Sequence, residues 1–179
     1  MYQQFKARAE EVSAEVYRFN TNNAALDFLI QFLQKEGVAN VSQAFALWAD
    51  CPFLNEIDRQ PLECIAGLKF EVTRELAADA RFGISQVEWA LADTGTLAQD
   101  SSSVEQRLVS SLPTIHIALV PTGGILPDMP TLLSRLHPDQ SGYIAMITGP
   151  SRTADIERVL TIGVHGPERL VIVFVDELG

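Results

Sequence analysis

Residues 148–167, TGPSRTADIERVLTIGVHGP, concentrate side chains that can bind a small anion. Ser151, Arg152 and Thr153 follow one Gly-Pro turn, and His165 precedes a second. Hydroxyls and a guanidinium hydrogen-bond carboxylates and phosphates, and an imidazole can exchange a proton near neutral pH. The segment therefore predicts an anion or carboxylate pocket, although it does not identify a reaction.

The predicted pocket depends on a helix over TADIERVL, residues 153–160. Ser151 or Thr153 would cap this helix, and the free amides of its first turn would face the ligand. Arg152 would add a bidentate contact to the anion, while Asp155 would complement the helix dipole. The alternative is that the two hydroxyls only cap the helix and that Arg152 is solvated.

The other candidates are isolated residues. His165 could donate to a ligand oxygen or bond a carbonyl of its own turn. Asp93 in ADTGT could be a nucleophile, a base, or an acceptor that orients the neighbouring threonine hydroxyls. His116 alternates with isoleucines, which favours a hydrogen-bonded position in a sheet, and we expect His137 and Arg107 at the surface. Three scattered histidines lack the spacing of metal ligands, so we expect no metal site.

The net charge and the motifs of the sequence argue against several classes of binding partner. A formal charge of −10 at pH 7 argues against nucleic acid and anionic lipid, because binding a polyanion requires clustered lysine and arginine. The turn PTGG at 121–124 lacks the lysine of a phosphate-binding loop, and no G-x-G-x-x-G follows a strand, so nucleotide binding is not supported. No run approaches about 18 apolar residues, so we expect no membrane span.

Cysteine usage bears on cofactors and on the compartment. Cys51 and Cys64 are the only two cysteines of the 179 residues, too few for a four-thiolate iron–sulfur or zinc site. We therefore expect this chain to bind no cofactor of that kind. Unclustered cysteines and a charged N-terminal segment without an apolar core are typical of a reducing compartment, so we expect a cytoplasmic protein.

The elements that must position these residues follow from hydrophobic periodicity and turn residues. Helices are predicted over residues 4–16, 21–37, 73–83, 100–113, 129–138 and 153–160. Strands are predicted over residues 14–19, 43–50, 87–100 with a tight turn at 94–95, 114–121, 142–149 and 169–177. Thr21 is expected to cap the second helix, and Gly37 and Gly83 to end the second and third.

Strands and helices alternate in the C-terminal half, and the strands are apolar on both faces. This pattern predicts an α/β domain with a mostly parallel sheet and flanking helices. Ligands bind such sheets beyond the carboxyl ends of the strands. We predict that the polar turns at 93–96, 121–124 and 148–155 lie there. The chain has no repeat or linker, so we expect one domain over residues 1–179.

Three motifs together resemble a known family. GISQVEWALADTGTL, RLVSSLPTIHIALV and TGPSRTADIERVLTIGVHGPERLVIVFVDE are similar to the LUD (lactate utilisation, formerly DUF162) domain, particularly of the lactate utilisation protein C type. The resemblance covers residues 81–179, the motif-bearing part. Residues 1–80 resemble the family only in layout and form a short, variable N-terminal part.

The resemblance implies both a fold and a role. The fold would be that of the superfamily of ribose-5-phosphate isomerase, glucosamine-6-phosphate deaminase and CoA transferases. The role would be in the oxidation of L-lactate to pyruvate, together with two iron–sulfur partner proteins that hold the clusters. A small carboxylate, lactate or pyruvate, would be the ligand of this chain.

The resemblance also carries over individual positions. Asp93 and His165 would be catalytic. The family often has Glu at the position of Asp93, and the shorter Asp withdraws the carboxylate by more than an ångström. The ligand-binding positions would be Thr94, Gly95, Thr96, Arg107, His116, Gly149, Ser151, Arg152, Thr153, Asp155 and Gly166, and Pro150 also matches the family.

Three functions remain open. The first is an accessory or substrate-binding subunit of a lactate-oxidising complex, which alone would not oxidise lactate because no motif binds a redox centre. The second is a stand-alone enzyme similar to CoA transferases or sugar-phosphate isomerases, with Asp93 as nucleophile or base. The third is an interaction module with a vestigial pocket.

Overall fold

Twelve strands are present in the part of the chain that the computed structural model describes, residues 1–136, 142–154, 160–162 and 165–178. They are β1 Glu15–Phe19, β2 Ala46–Trp48, β3 Leu68–Lys69, β4 Phe82–Gln86, β5 Trp89–Leu91, β6 Thr96–Asp100, β7 Ile115–Pro121, β8 Ile125–Leu126, β9 Ile144–Ile147, β10 Arg152–Ala154, β11 Leu160–Ile162 and β12 Arg169–Val175. Six of them form an all-parallel sheet in the order β1-β12-β7-β4-β2-β3. The predicted α/β class with a mostly parallel sheet is confirmed.

A second sheet stands beside the first, in the order β8-β5-β6-β9. Its β5–β6 and β6–β9 pairings are antiparallel, and β5–β8 is parallel. The predicted tight turn at 94–95 joins β5 to β6, and Gly95 takes a φ of +68° there. Strands β10 and β11 form a separate antiparallel pair.

Helices flank the main sheet. They are α1 Tyr2–Glu11, α2 Asn22–Lys35, α3 Gln60–Glu63, α4 Arg74–Asp79, α5 Val104–Ser111 and α6 Met129–Arg135, with short 3-10 turns at Pro52–Asn55 and Thr122–Gly124. Thr21 caps α2 as predicted, because its Oγ1 accepts a hydrogen bond of 3.1 Å from the Ala24 amide. None of the helices in the described ranges is long and apolar enough to cross a membrane.

The apolar side chains of β12 show how α1, α2 and the second sheet pack on the main sheet. Val171 and Val173 belong to the core beneath α2, whereas Ile172 and Phe174 belong to the core shared with α1 and the second sheet. Successive side chains of a strand point to opposite faces, so a central strand buried on both faces is apolar along most of its length. This arrangement fixes α1 and the second sheet on the same face of the main sheet.

The helix predicted over 153–160 is wrong at both of the ends that the structure describes. The backbone of Arg152–Ala154 pairs antiparallel with Leu160–Ile162, so both ends of the segment are strands. Threonine and isoleucine suit strands, and pairing across a hairpin overrides a weak helical period. Ser151 and Thr153 therefore cap no helix here. Asp155 lies outside the described residues.

The strand predicted over 142–149 exists as β9, but it belongs to the second sheet. It pairs antiparallel with β6, from Leu97 opposite Ile147 to Asp100 opposite Ile144. The turn at 148–151 therefore does not follow a strand of the main parallel sheet, and neither does the turn at 93–96. Of the three predicted turns, only 121–124 lies at the carboxyl end of a main-sheet strand, β7.

Gly83 does not end a helix as predicted. The helix α4 ends at Asp79, and Gly83 lies within β4. A Cβ at this glycine would overlap the Val109 carbonyl of α5, so the small residue allows α5 to pack closely on the sheet. The helix predicted over 100–113 is present as α5. Its N-cap Ser103 makes no side-chain capping bond to described residues.

Candidate functional site

A cavity of about 280 Å³ lies where the turns 148–151 and 165–167 meet the end of α5. Four of the predicted site residues line it: Gly149, Ser151, His165 and Gly166. Ser110 and Ser111 of α5 and Met146 and Ile147 of β9 complete the wall with Thr148, Pro150 and Pro167. The two Gly-Pro turns that the sequence singles out are therefore neighbours in space.

Backbone hydrogen bonds hold these two turns together. The Ser151 amide donates to the Pro167 carbonyl at 2.8 Å. The Glu168 amide donates to Thr114 O at 2.8 Å, which ties the second turn to the start of β7. A Cβ on Gly166 would lie only 3.1 Å from the Ser151 Cβ, so a larger residue would push the turns apart.

The described lining combines serine and threonine hydroxyls with apolar side chains, and its one ionisable side chain is the imidazole of His165, which is exposed. The hydroxyls of Ser110 and Ser111 both donate to the Arg107 carbonyl, which leaves their oxygen lone pairs available. The C-terminal end of α5 borders the cavity, and the helix dipole there does not attract an anion. Recognition of a carboxylate would have to rely on hydroxyls, amides and the imidazole.

Arg152 lies next to the cavity but is not one of the described residues that line it. Its Nη2 donates to Val12 O at 2.6 Å and to Ser13 Oγ at 3.1 Å, at the end of α1. These two atoms are protein partners of the guanidinium, and the bidentate ligand contact expected from the sequence stays a prediction. Thr153 lies in β10.

The turn ADTGT touches the cavity through one hydrogen bond. Thr96 is buried, and its Oγ1 shares a hydrogen bond of 2.8 Å with Thr148 Oγ1. Gly95 packs against α1, where a Cβ would overlap the Ala9 amide. Asp93 and Thr94 are exposed, and no hydrogen bond or ion pair engages the Asp93 carboxylate within the described ranges. Catalysis by Asp93 stays a prediction.

His116 is fully buried in β7, away from the cavity lining. Its Nε2 shares a hydrogen bond of 2.8 Å with Ser85 Oγ, as expected for a histidine held within a sheet. Burial lowers the pKa of His116 to about 4, so the ring is neutral at pH 7. Its Nδ1 has no partner among the described residues. A ligand contact by this residue stays a prediction.

The sequence reading missed a buried polar chain that continues from Ser85. Gln99 Nε2 donates to Ser85 Oγ at 2.9 Å, and Ser101 Oγ donates to Gln99 Oε1 at 3.2 Å. Gln106 Nε2 donates to Asp50 O, beyond the carboxyl end of β2, at 2.8 Å. No catalytic motif in this sequence includes Gln99. The only signal was an amide beside the apolar residues of a predicted strand, in TLAQD.

Two further charged residues have structural partners. Arg107, predicted as a ligand contact, places its guanidinium 5.5 Å from the centre of the Tyr143 ring. Glu88, which the sequence reading missed, accepts a hydrogen bond of 2.7 Å from the Asp100 amide, and burial raises the pKa of its carboxyl group.

The residues present do not fit an iron–sulfur cluster. Cys51 is buried, where desolvation raises the pKa of its thiol, and Cys64 is exposed. A four-thiolate cluster needs twice as many cysteines as the 2 of this chain. In the part of the chain that the structure describes, no group of three histidine, cysteine or carboxylate side chains could hold a metal ion.

Comparisons with known proteins agree with the motifs. The LUD domain family matches residues 2–175, which confirms the resemblance and extends it through the N-terminal part. A lactate utilization protein C from Exiguobacterium sp. is 38% identical over 114 residues, 60% of this chain and 50% of that protein. The Bacillus subtilis protein of the same name is 36% identical over 115 residues, 61% and 48% of the two chains. The chain thus spans about half the length of the curated relatives it matches.

A solved structure agrees with the fold. The crystal structure of a DUF162 family protein from Deinococcus radiodurans superposes with a TM-score of 0.62, covering 97% of this chain and 95% of that one. The sequences are 18% identical, so the likeness concerns the fold alone.

Proposed function

This chain belongs to the LUD domain family, and on that premise we propose that it serves L-lactate utilisation as a subunit that binds lactate or pyruvate. The names of its relatives support the pathway. The observation that carries the binding role is the convergence of Ser151 and His165 on one cavity. The cavity, about 280 Å³, is large enough for a molecule the size of lactate or pyruvate and is slightly smaller than the roughly 300–1,000 Å³ of typical ligand sites.

The lining suggests how such a ligand would be held. Lactate and pyruvate each carry one carboxylate and one neighbouring oxygen. The hydroxyls of Ser151 and Thr148 would donate to the carboxylate, and the imidazole of His165 would bond the hydroxyl or keto oxygen. With no lysine or arginine at the described lining, we expect weak binding, with a dissociation constant on the order of 1 mM.

Oxidation of lactate to pyruvate releases two electrons and two protons, so an acceptor is required. We propose that iron–sulfur partner proteins accept these electrons, because the two cysteines of this chain are too few to hold a cluster. The isolated chain should then bind lactate without oxidising it. Turnover of lactate by the purified chain with an artificial electron acceptor would contradict this division of roles.

Calorimetric titration of L-lactate and of pyruvate tests the binding role. Ser151→Ala and His165→Ala should each weaken binding about fivefold or more, because each removes one ligand hydrogen bond. Ser134→Ala is the matched control, since Ser134 is an exposed residue of α6 whose hydroxyl bonds Thr131 O. Unchanged affinity in both cavity variants would refute the proposed site.

The stand-alone enzyme makes a different prediction. An acyl or thioester adduct trapped on Asp93 after incubation with an acyl-CoA, or turnover of a phosphosugar, would establish that alternative. Growth on lactate as the sole carbon source, lost on deletion of this chain and restored by the wild type but not by His165→Ala, would support the lactate role instead.

A further inference from the structure

The end of α1 has a backbone conformation that is unusual for its sequence. The Ser13 amide donates to Glu10 O and the Ala14 amide to Ala9 O, both at 3.0 Å, the pair of bonds that closes a helix with a left-handed residue. Ser13 is that residue, with a φ of +70°. Glycine normally occupies this position because a residue with a Cβ is strained in the left-handed conformation. A serine here therefore requires a compensating contact.

The turn that lines the cavity rests on this helix end. Arg152 donates to Val12 O at 2.6 Å and to Ser13 Oγ at 3.1 Å. Gly149, with a φ of +67°, approaches so closely that a Cβ would lie 2.5 Å from Val12 O. Residues 148–152 thus contact residues 12–13 through a backbone approach and two hydrogen bonds from one guanidinium.

The helix α1 is itself anchored to the main sheet. Phe5 is fully buried, and its ring meets Phe174 of β12 edge to face at a centroid distance of 5.1 Å. Ala9 is also fully buried, beneath the close approach of Gly95. The end of α1 therefore offers the cavity turn a fixed support.

We propose that Ser13 and Arg152 are positioning residues: they tie the turn carrying Ser151 to the end of α1 and so hold one wall of the cavity in its binding shape. This inference deepens the proposed function and rests on it for the ligand. Arg152 acts through the turn and not by touching the ligand. The left-handed strain at Ser13 is tolerated because its hydroxyl is a partner of the guanidinium.

Ser13→Gly separates this role from simple stabilisation. Glycine relieves the left-handed strain, so the melting temperature should rise by about 2 °C. The same substitution removes the hydroxyl that holds Arg152, so the affinity for pyruvate should fall about threefold to fivefold. A purely structural serine predicts the higher melting temperature with unchanged affinity, and that result would overturn the proposal.

Arg152→Met removes both hydrogen bonds and should weaken pyruvate binding more than Ser13→Gly does. The double variant should be no weaker than Arg152→Met alone, because the two residues act through one contact. Additive losses would show that the two residues act independently of each other, which would overturn the shared positioning role. Arg8→Met is the matched control, since Arg8 is an exposed arginine of α1 that pairs with Glu11.

Amide hydrogen exchange of the ligand-free protein tests the positioning role independently of ligand binding. The Ser151 amide, bonded to Pro167 O, should exchange about tenfold faster in Arg152→Met than in wild type or Arg8→Met. Faster exchange with no pyruvate binding by wild type would refute the proposed function while keeping the positioning role. Unchanged exchange would overturn the positioning role whether or not pyruvate binds.

Discussion

Acidification should destabilise this protein through the imidazole of His116. The ring is fully buried, and burial lowers its pKa from 6.5 to about 4. The unfolded chain therefore binds this proton more tightly than the folded chain does, so the free energy of unfolding falls as the pH decreases from 6.5 towards 4. Between pH 7.5 and pH 5 the loss due to this residue should be about 2 kcal/mol.

Urea unfolding at these two pH values measures the effect. His116→Gln offers an amide that can still bond Ser85 Oγ but cannot take up a proton, so about 2 kcal/mol of the acid-induced loss should disappear in this variant. His165→Gln, which removes an exposed imidazole, should retain that loss. If His116→Gln loses as much stability on acidification as the wild type, burial does not depress the pKa of His116 as argued.

Two other substitutions test the packing around the site by the same unfolding measurement. Gly95→Ala should cost about 2 kcal/mol or more, because the Cβ meets both a positive φ and the backbone of Ala9, whereas Gly123→Ala, with nothing within 4 Å, should be nearly neutral. Equal stability of the two alanine variants would contradict the close approach. Gln99→Leu should cost about 1–3 kcal/mol, since it leaves the buried hydroxyl of Ser85 without its donor, and a neutral outcome would show that the chain of polar groups is not needed.

Strands buried on both faces could be predicted from the sequence because their high content of apolar residues by itself indicates that they are buried. The mostly apolar strands β7 and β12 are of this kind, and Thr21 marks the start of α2 by its own capping bond. The turn at 94–95 was predicted from its glycine, which takes a positive φ there. Each of these signals is local.

The failures concern pairing partners that the local sequence pattern does not identify. The segment 153–160 has apolar residues at helical spacing, and only pairing within its hairpin makes its two ends strands. The strand 144–147 is apolar enough for the main sheet, yet its register with β6 places it in the second one. No signal near Arg152 in the sequence indicates its partners Val12 and Ser13, which lie about 140 residues earlier, and the ligand contact predicted for Arg152 stays a prediction.

Amide chemical shifts on adding pyruvate to the ¹⁵N-labelled protein test the central claim most directly. Binding in the proposed cavity predicts shifts at residues 148–152 and 165–168 and at Ser110 and Ser111 of α5, with the rest of the chain nearly unchanged. Shifts confined to the turn 121–124 at the carboxyl end of β7, or no saturable shift at concentrations up to about 10 mM, would contradict it.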